Sequence, residues 1–234
     1  MDNLNFNNTQ TAFAYKSNSE LLRDYRIFQL INQSWLVKYG TQVAASLIQF
    51  GIKTPVAMGM KPTVYATFCG GNNLNEASSK INKLERYHVR TVLDYGVEGK
   101  EREEDFQRTE SAIKQAILFA KDKDAVHIVS SKFTGLIPFS ILEKLHAKNT
   151  LSDEENSIYE KSKSRINSIA QLAFENDISL FVDAEETWIQ QPLDDLTYEL
   201  MLKYNKEKPI IYNTIQLYRK DRLDVLKKYI KQAQ

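Results

Sequence analysis

The sequence predicts an α/β protein in which a parallel sheet follows a helical arm. Four short strands in the second part of the chain are apolar along most of their length, as expected when both faces of a strand are covered. Helical segments separate these strands, and strands that alternate with helices usually lie parallel in one sheet. We therefore expect about four βα units after the arm.

Residues 1–60 are expected to form the arm. Ser17 and Glu20 have the spacing of a capping box, in which each side chain satisfies a backbone donor of the first helical turn. Apolar residues then recur at helical spacing as far as Gly40, where this helix is predicted to end. A second helix is predicted over Thr41–Phe50.

Residues 61–234 are expected to form the sheet and its helices, after a short extended segment over Val64–Phe68. The four strands are predicted at 91–93, 125–129, 178–182 and 209–212. The main helices are predicted at 75–85, 103–120, 193–204 and 221–231, with a short one after Pro138 and a longer one that ends at Phe174. This alternation is what a parallel α/β sheet requires.

The composition excludes several classes of protein. The 31 basic residues nearly cancel the 30 acidic ones, which gives no electrostatic argument for nucleic acid or an anionic membrane surface as a partner. One cysteine, Cys69, cannot form an intrachain disulfide or a cysteine-rich metal site, and fits a reducing compartment. No apolar run approaches the ~20 residues that span a bilayer, so we expect a soluble or peripheral protein.

Familiar short motifs do not identify a site. The chain has neither the GxGxxG pattern of a dinucleotide-binding turn nor the GxxxxGK[ST] pattern of a P-loop. His88, His127 and His146 lack the spacing of metal ligands, which favours structural or surface roles for them. We expect no metal site.

Polar residues follow each of the four predicted strands. Asp94, Lys132, Asp183 and Gln216 lie at successive strand ends, and in parallel α/β folds chemistry gathers at that edge of the sheet. Any one of these residues taken alone is better explained as a solvated loop residue or a helix cap. Together, the four residues indicate a functional site along this edge of the sheet, which we call the rim. They do not identify a substrate.

Two of these strand ends carry a family resemblance. The segments LFVDAEETWIQ at 180–190 and PIIYNTIQLYRKD at 209–221 resemble the proline dehydrogenase family. VLDYGVEG at 92–99 and SSKFTGL at 130–136 resemble its first and second barrel strands, in the right order. The resemblance covers roughly residues 60–231.

The resemblance implies a (β/α)8 barrel of the TIM type, of which this sequence holds the first four βα units after the arm. It implies oxidation of L-proline to Δ1-pyrroline-5-carboxylate by hydride transfer from C5 to FAD, with the electrons passed on to a quinone. The protein is then expected in the cytoplasm, or peripherally on the inner face of a membrane.

The resemblance also implies roles for single residues. Lys132 matches the lysine that meets the substrate carboxylate, which a compact ammonium suits. Asp183 matches the aspartate beside the flavin, and Ala184 then places its backbone near the cofactor. Gln216 matches the glutamine that hydrogen-bonds to the flavin ring, where an amide both donates and accepts.

The family pattern assigns two more acidic residues to the end of the first strand. Glu98 matches an acidic residue that pairs with an arginine over the closed site, and Asp94 matches a second acidic position. The family's strands five to eight, its arginine at strand five and its YxxRRxxEN helix have no counterpart in this sequence. We therefore expect this chain alone to bind FAD weakly or not at all and to have little activity.

Two alternatives remain open at this point. In the first alternative, the chain is a non-catalytic half-barrel that pairs with itself or with a partner chain. The strand-end residues are then inherited but have no catalytic role. A (β/α)8 enzyme of unrelated chemistry is the second alternative, against which the joint presence of DAEET and the later QLY argues.

Overall fold

The computed structural model describes residues 5–97 and 99–233. These residues divide into two compact units, on either side of the bond between Val89 and Arg90. Across the described ranges, none of the helices combines the length and the apolar character needed to cross a bilayer.

The first unit is helical. Its α-helices are α1 (Thr9–Ala12), α2 (Asn18–Ile31), α3 (Ser34–Gln49), α4 (Lys53–Met60), α5 (Ala66–Phe68) and α6 (Leu74–Glu85), with a π-helical turn over Lys61–Tyr65. The capping box at the start of α2 is confirmed: the Ser17 backbone N–H donates to Glu20 Oε2 at 2.7 Å, and the Glu20 N–H donates to Ser17 Oγ at 3.3 Å.

The prediction of an extended segment over Val64–Phe68 is wrong, because these residues are helical. Thr67 donates its hydroxyl to Asp24 Oδ1 at 2.8 Å, and the rings of Phe28 and Phe68 lie 5.8 Å apart. These contacts with α2 outweigh the strand preference of the β-branched and aromatic residues in the segment. The first compact unit extends to residue 89.

The predicted break at Gly40 is also wrong. Helix α3 runs through Gly40, where an added Cβ would meet nothing within 4 Å, and the break falls instead at Asn32 and Gln33. Glycine is tolerated inside a helix at a cost of about 1 kcal/mol relative to alanine.

The second unit is the predicted α/β sheet. Its strands are β1 (Thr91–Asp94), β2 (Val126–Ser131), β3 (Ser179–Val182) and β4 (Ile211–Asn213), all parallel and in the order β1-β2-β3-β4. The helices are α7 (Glu103–Lys121), α8 (Phe139–His146), α9 (Asp153–Glu175), α10 (Gln190–Tyr204) and α11 (Arg222–Ala233), with a 3₁₀ turn over Phe133–Gly135. The prediction of an α/β fold with four βα units is confirmed.

One face of the sheet is covered by helices. Leu93, Val129, Leu180 and Ile211 lie side by side in the strand register, and each is at most 9% exposed. Helices α7, α9 and α10 pack against β2, β3 and β4, which removes this apolar row from water.

The opposite face is more open than the apolar strands suggested. Val92, which is in register with Ile128, is 47% exposed, and Phe181 and Tyr212 are half-buried with their ring centroids 4.8 Å apart. Within the described residues, β1 and β4 each have a strand neighbour on one side only. The sheet therefore has two free edges and a partly exposed, partly aromatic face.

Candidate functional site

The ends of β2 and β3 bring Lys132 and Asp183 together. Lys132 Nζ lies 3.8 Å from Asp183 Oδ2, and the Ser130 hydroxyl donates to Asp183 Oδ1 at 2.8 Å. The backbone N–H of Asp183 donates to the Ser131 carbonyl at 3.0 Å, which continues the ladder past the last strand residue. The Lys132 and Asp183 side chains are 26% and 31% exposed, so both remain accessible to a small molecule.

Glu185, two residues after Asp183, contacts the segment that follows Lys132. The Thr134 N–H donates to Glu185 Oε1 at 3.1 Å, and the Thr134 hydroxyl donates to Glu185 Oε2. Burial raises the pKa of the Glu185 carboxyl, while the Thr134 hydrogen bonds and the charge of Lys132 act in the opposite direction.

The backbone of Glu185 contacts two further elements. Its N–H donates to Gln190 Oε1 at 2.8 Å, at the start of α10, and its carbonyl accepts from Gln216 Nε2 at 2.9 Å, beyond the end of β4. Glu185 therefore joins the ends of β2, β3 and β4.

The hydrogen bonds of Gln216 fix which way its amide points. Arg219 has only donors, and its NH1 atom lies 3.4 Å from Gln216 Oε1, whereas the Glu185 carbonyl can only accept. The amide oxygen therefore faces Arg219 and the amide nitrogen faces Glu185. Arg219 is itself held by an ion pair with Asp221 at 2.7 Å.

A buried polar network holds the end of β4. Asp194 Oδ1 accepts from Gln190 Nε2 and from Asn213 Nδ2, each at 3.0 Å, and Asp194 Oδ2 accepts from Arg222 NH2 at 2.6 Å. The network joins α10, the last residue of β4 and the first residue of α11.

Gly135 allows the loop after β1 to approach the 3₁₀ turn. A Cβ at this position would lie 2.7 Å from the Val97 carbonyl oxygen, so a larger residue requires the backbone to move. The Lys100 N–H also donates to the Thr134 carbonyl at 3.2 Å. The ends of β1 and β2 are therefore packed against each other.

The structure brings three of the predicted site residues into one connected group. Lys132 and Asp183 are an ion pair, and Gln216 is linked to them through Glu185, next to Ala184. Asp94 ends β1 in register with Ser130. Glu98, which the family pattern assigns to an ion pair, lies outside the described residues.

Sequence reasoning did not single out Thr134, Glu185 or Asp194. Thr134 and Glu185 lie within the segments that carried the family resemblance, but their mutual contact joins residues 51 apart. Asp194 had one local signal: it lies on the face of α10 that also carries the buried Leu193 and Thr197. Among the described residues, no group of three or more His, Cys, Asp or Glu side chains is arranged to hold a metal ion.

A protein-family model and several known proteins match this chain. A family model described as proline dehydrogenase matches residues 77–234. The mitochondrial proline dehydrogenase 1 of Dictyostelium discoideum is 24% identical over 94% of this chain and 45% of its own length. The hydroxyproline dehydrogenase of Xenopus laevis is 25% identical over 92% of this chain and 53% of its own length.

The chain spans about half the length of these curated relatives. Among solved structures, proline utilization A from Bdellovibrio bacteriovorus, inactivated by N-propargylglycine, matches 95% of this chain and 24% of its own. The TM-score is 0.61 at 18% sequence identity, which shows a shared fold. Since the family model covers the whole of the α/β unit and part of the first unit, more than half of the chain, the chain belongs to the proline dehydrogenase family.

Proposed function

We propose that the protein containing this chain oxidises L-proline to Δ1-pyrroline-5-carboxylate. The observation that carries the proposal is the connected group of Lys132, Asp183 and Gln216 at adjacent strand ends, held together through Glu185. Membership of the proline dehydrogenase family supports the same substrate class.

Lys132 is proposed to bind the carboxylate of proline. A compact ammonium suits a carboxylate as a point charge, and the Lys132 side chain is 26% exposed beside Asp183. The acidic Asp183 limits the net positive charge at the rim. We propose that it orients the ammonium toward the substrate and faces the cofactor.

FAD is the proposed cofactor, and the residues present fit a flavin ring. Gln216 has a fixed amide orientation, with one N–H and one oxygen lone pair beyond those its partners use. The nearby open face of the sheet carries the aromatic side chains of Phe181 and Tyr212. A bound flavin would supply the acceptor for the hydride from C5, while Gln216, Asp183 and the Ala184 backbone orient its ring.

A closed (β/α)8 barrel is the proposed complete architecture. The free edges at β1 and β4 and the half-exposed Val92 support it, since closure would pair both edges and cover the open face. The additional strands would come from the same polypeptide or from a second chain. On this proposal the 234-residue chain alone retains FAD weakly.

A quinone is the proposed electron acceptor, reached by peripheral contact with a membrane through the first unit. Between Asp24 and Glu76 the sequence has no acidic residue but has four basic ones. Trp35, Phe50 and Met58 in this segment are 62%, 83% and 72% exposed. Apolar side chains with a positive balance suit an anionic lipid surface. Co-sedimentation with anionic but not with neutral vesicles would support this contact, and no co-sedimentation with either would contradict it.

The function is tested with the recombinant chain and with the natural assembly that contains it. We expect the natural assembly to carry flavin and to reduce an electron-accepting dye when L-proline is added. We expect the recombinant chain to contain little flavin and to reduce little dye. A flavin-free natural assembly, seen by light scattering as a stable dimer of this chain, would favour the non-catalytic half-barrel instead.

A further inference from the structure

The carboxylate, the N–H and the carbonyl of Glu185 each form hydrogen bonds with a different part of the rim. Its two carboxylate oxygens accept from Thr134, its N–H donates to Gln190, and its carbonyl accepts from Gln216. The neighbouring Glu186 is exposed, so the two adjacent carboxylates of the DAEE segment lie in different environments.

The placement of the Glu185 carboxylate has an electrostatic cost. Burial raises its pKa, which means that the surroundings disfavour the charged form, and the charge of Glu186 acts in the same direction. A partly buried charge is weak evidence of a gain in stability, because desolvation offsets the contacts it makes. The position of the Glu185 carboxylate is therefore better explained by a role in fixing the geometry of the rim than by a contribution to stability.

We propose that Glu185 is a positioning residue that fixes the separation of Lys132 from Gln216. Thr134 is two residues beyond Lys132, so the carboxylate bonds hold the segment that carries the ammonium. The backbone carbonyl of Glu185 accepts from the side-chain amide of Gln216 and so holds that amide as well. The inference rests on the proposed function, in which Lys132 binds the substrate and Gln216 binds the cofactor.

The chemical consequence concerns the distance between substrate and cofactor. Lys132 would set the position of the proline carboxylate and Gln216 the position of the flavin ring, so their separation decides how close C5 comes to the hydride acceptor. A misplacement of about 1 Å can lower a rate roughly a hundredfold. Glu185 would therefore influence the reaction without touching either reactant.

The first measurement is residue-resolved amide hydrogen exchange on the chain, which requires neither flavin nor activity. The reporters are the Thr134 N–H, which donates to Glu185, and the Arg219 N–H, which donates to the Gln216 carbonyl at 3.0 Å. Glu185→Ala removes both carboxylate bonds to Thr134 but keeps the backbone carbonyl that accepts from Gln216. Because the carboxylate is proposed to hold this backbone in place, we expect both amides to exchange at least about tenfold faster. We expect Glu185→Gln, which keeps an acceptor for the Thr134 N–H, to return both to within about threefold of the native rates. Glu186→Ala is the matched control and should change neither.

The second measurement is steady-state kinetics on the flavin-loaded natural protein. We expect Glu185→Ala to raise the KM for proline and to lower kcat/KM by about tenfold or more, with the flavin retained and with recovery in Glu185→Gln. If Glu185→Ala fails to fold, Thr134→Val removes one of the two side-chain bonds and is expected to show a smaller effect in the same direction.

The outcomes separate this inference from the proposed function. If only the Thr134 amide exchanges faster in Glu185→Ala, or if neither amide does, then Glu185 does not link the segment of Lys132 to that of Gln216. An unchanged KM and kcat/KM in an active Glu185→Ala protein would overturn it as well. If the native protein does not oxidise proline but both amides respond as expected, the proposed function fails and the positioning contact stands.

Discussion

Asp194 and Arg222 form an ion pair that is almost completely removed from solvent. The Arg222 NH2 atom lies 2.6 Å from Asp194 Oδ2, and the two side chains are 3% and 1% exposed respectively. The same carboxylate accepts hydrogen bonds from Gln190 and Asn213 through its other oxygen. The pair therefore holds the end of β4 and the starts of α10 and α11 in one arrangement.

Replacement of Asp194 by alanine is expected to destabilise the α/β unit strongly. It leaves the Arg222 guanidinium buried without its charge partner, which typically costs about 3–5 kcal/mol. Denaturant unfolding followed by circular dichroism measures the change. Asp195→Asn is the control, because Asp195 is exposed on the same helix, and it should alter the free energy of unfolding by less than about 0.5 kcal/mol. Equal effects of the two variants would contradict the importance of the buried pair.

The first unit is expected to lose stability in acid through Asp24. Burial disfavours the charged form of Asp24, but hydrogen bonds from Lys16, Thr67 and Arg23 outweigh it and lower the pKa to about 2. Because the folded-state pKa lies below the ordinary value of 3.8, the stabilisation is complete above about pH 4 and is lost as the pH falls toward 2. A shift of this size corresponds to about 2 kcal/mol.

Acid titration of the unfolding free energy checks this expectation. Asp24→Asn should be less stable than the native protein at neutral pH and should show a flatter dependence between pH 4 and 2. Glu85→Gln, at an exposed position of the same unit, is the control for the removal of one carboxylate. A profile for Asp24→Asn as steep as the native one would show that Asp24 is not the group responsible.

Replacement of Lys132 by methionine is expected to weaken proline binding and leave the flavin in place. A hydrogen bond to a charged group contributes about 1.5–3 kcal/mol, which corresponds to a fall in kcat/KM of roughly 10- to 150-fold. Kinetics and flavin absorbance on the same preparation measure the two effects separately. Lys121→Met, on the exposed end of α7, is the control. Loss of flavin without a change in the KM for proline would contradict the assigned role.

Replacement of Gln216 by leucine is expected to weaken flavin binding. A neutral hydrogen bond contributes about 1 kcal/mol, so the dissociation constant should rise roughly fivefold. Arg219→Met should have a smaller effect on affinity, because it leaves the Gln216 amide in place and removes, at that amide, only the bond to its oxygen. Lys220→Met, which is exposed beside it, serves as the control, and flavin titration followed by fluorescence gives the constants. Unchanged affinity in Gln216→Leu would remove Gln216 from the proposed site.

The parallel sheet was predictable because its strands are short apolar runs between amphipathic helices, and the strand ends placed Lys132, Asp183 and Gln216 on one rim. The segment around Thr67 was not predictable, since its β-branched residues favour a strand and contacts with distant residues, such as Asp24 and Phe28, hold them in a helix. The role of Asp194 was not predictable either, because it also depends on a residue distant in the sequence. An acidic residue in mid-helix usually faces solvent, and its partner lies 28 residues away.

The most direct test of the central claim is anaerobic mixing of the natural, flavin-containing protein with L-proline while the absorbance of the oxidised flavin is followed. We expect the absorbance to fall to that of the reduced flavin, with one Δ1-pyrroline-5-carboxylate formed per flavin and a strongly slowed reaction in Lys132→Met. A flavin that stays oxidised in the presence of saturating L-proline, in a protein that is reduced by a chemical reductant, would contradict the account.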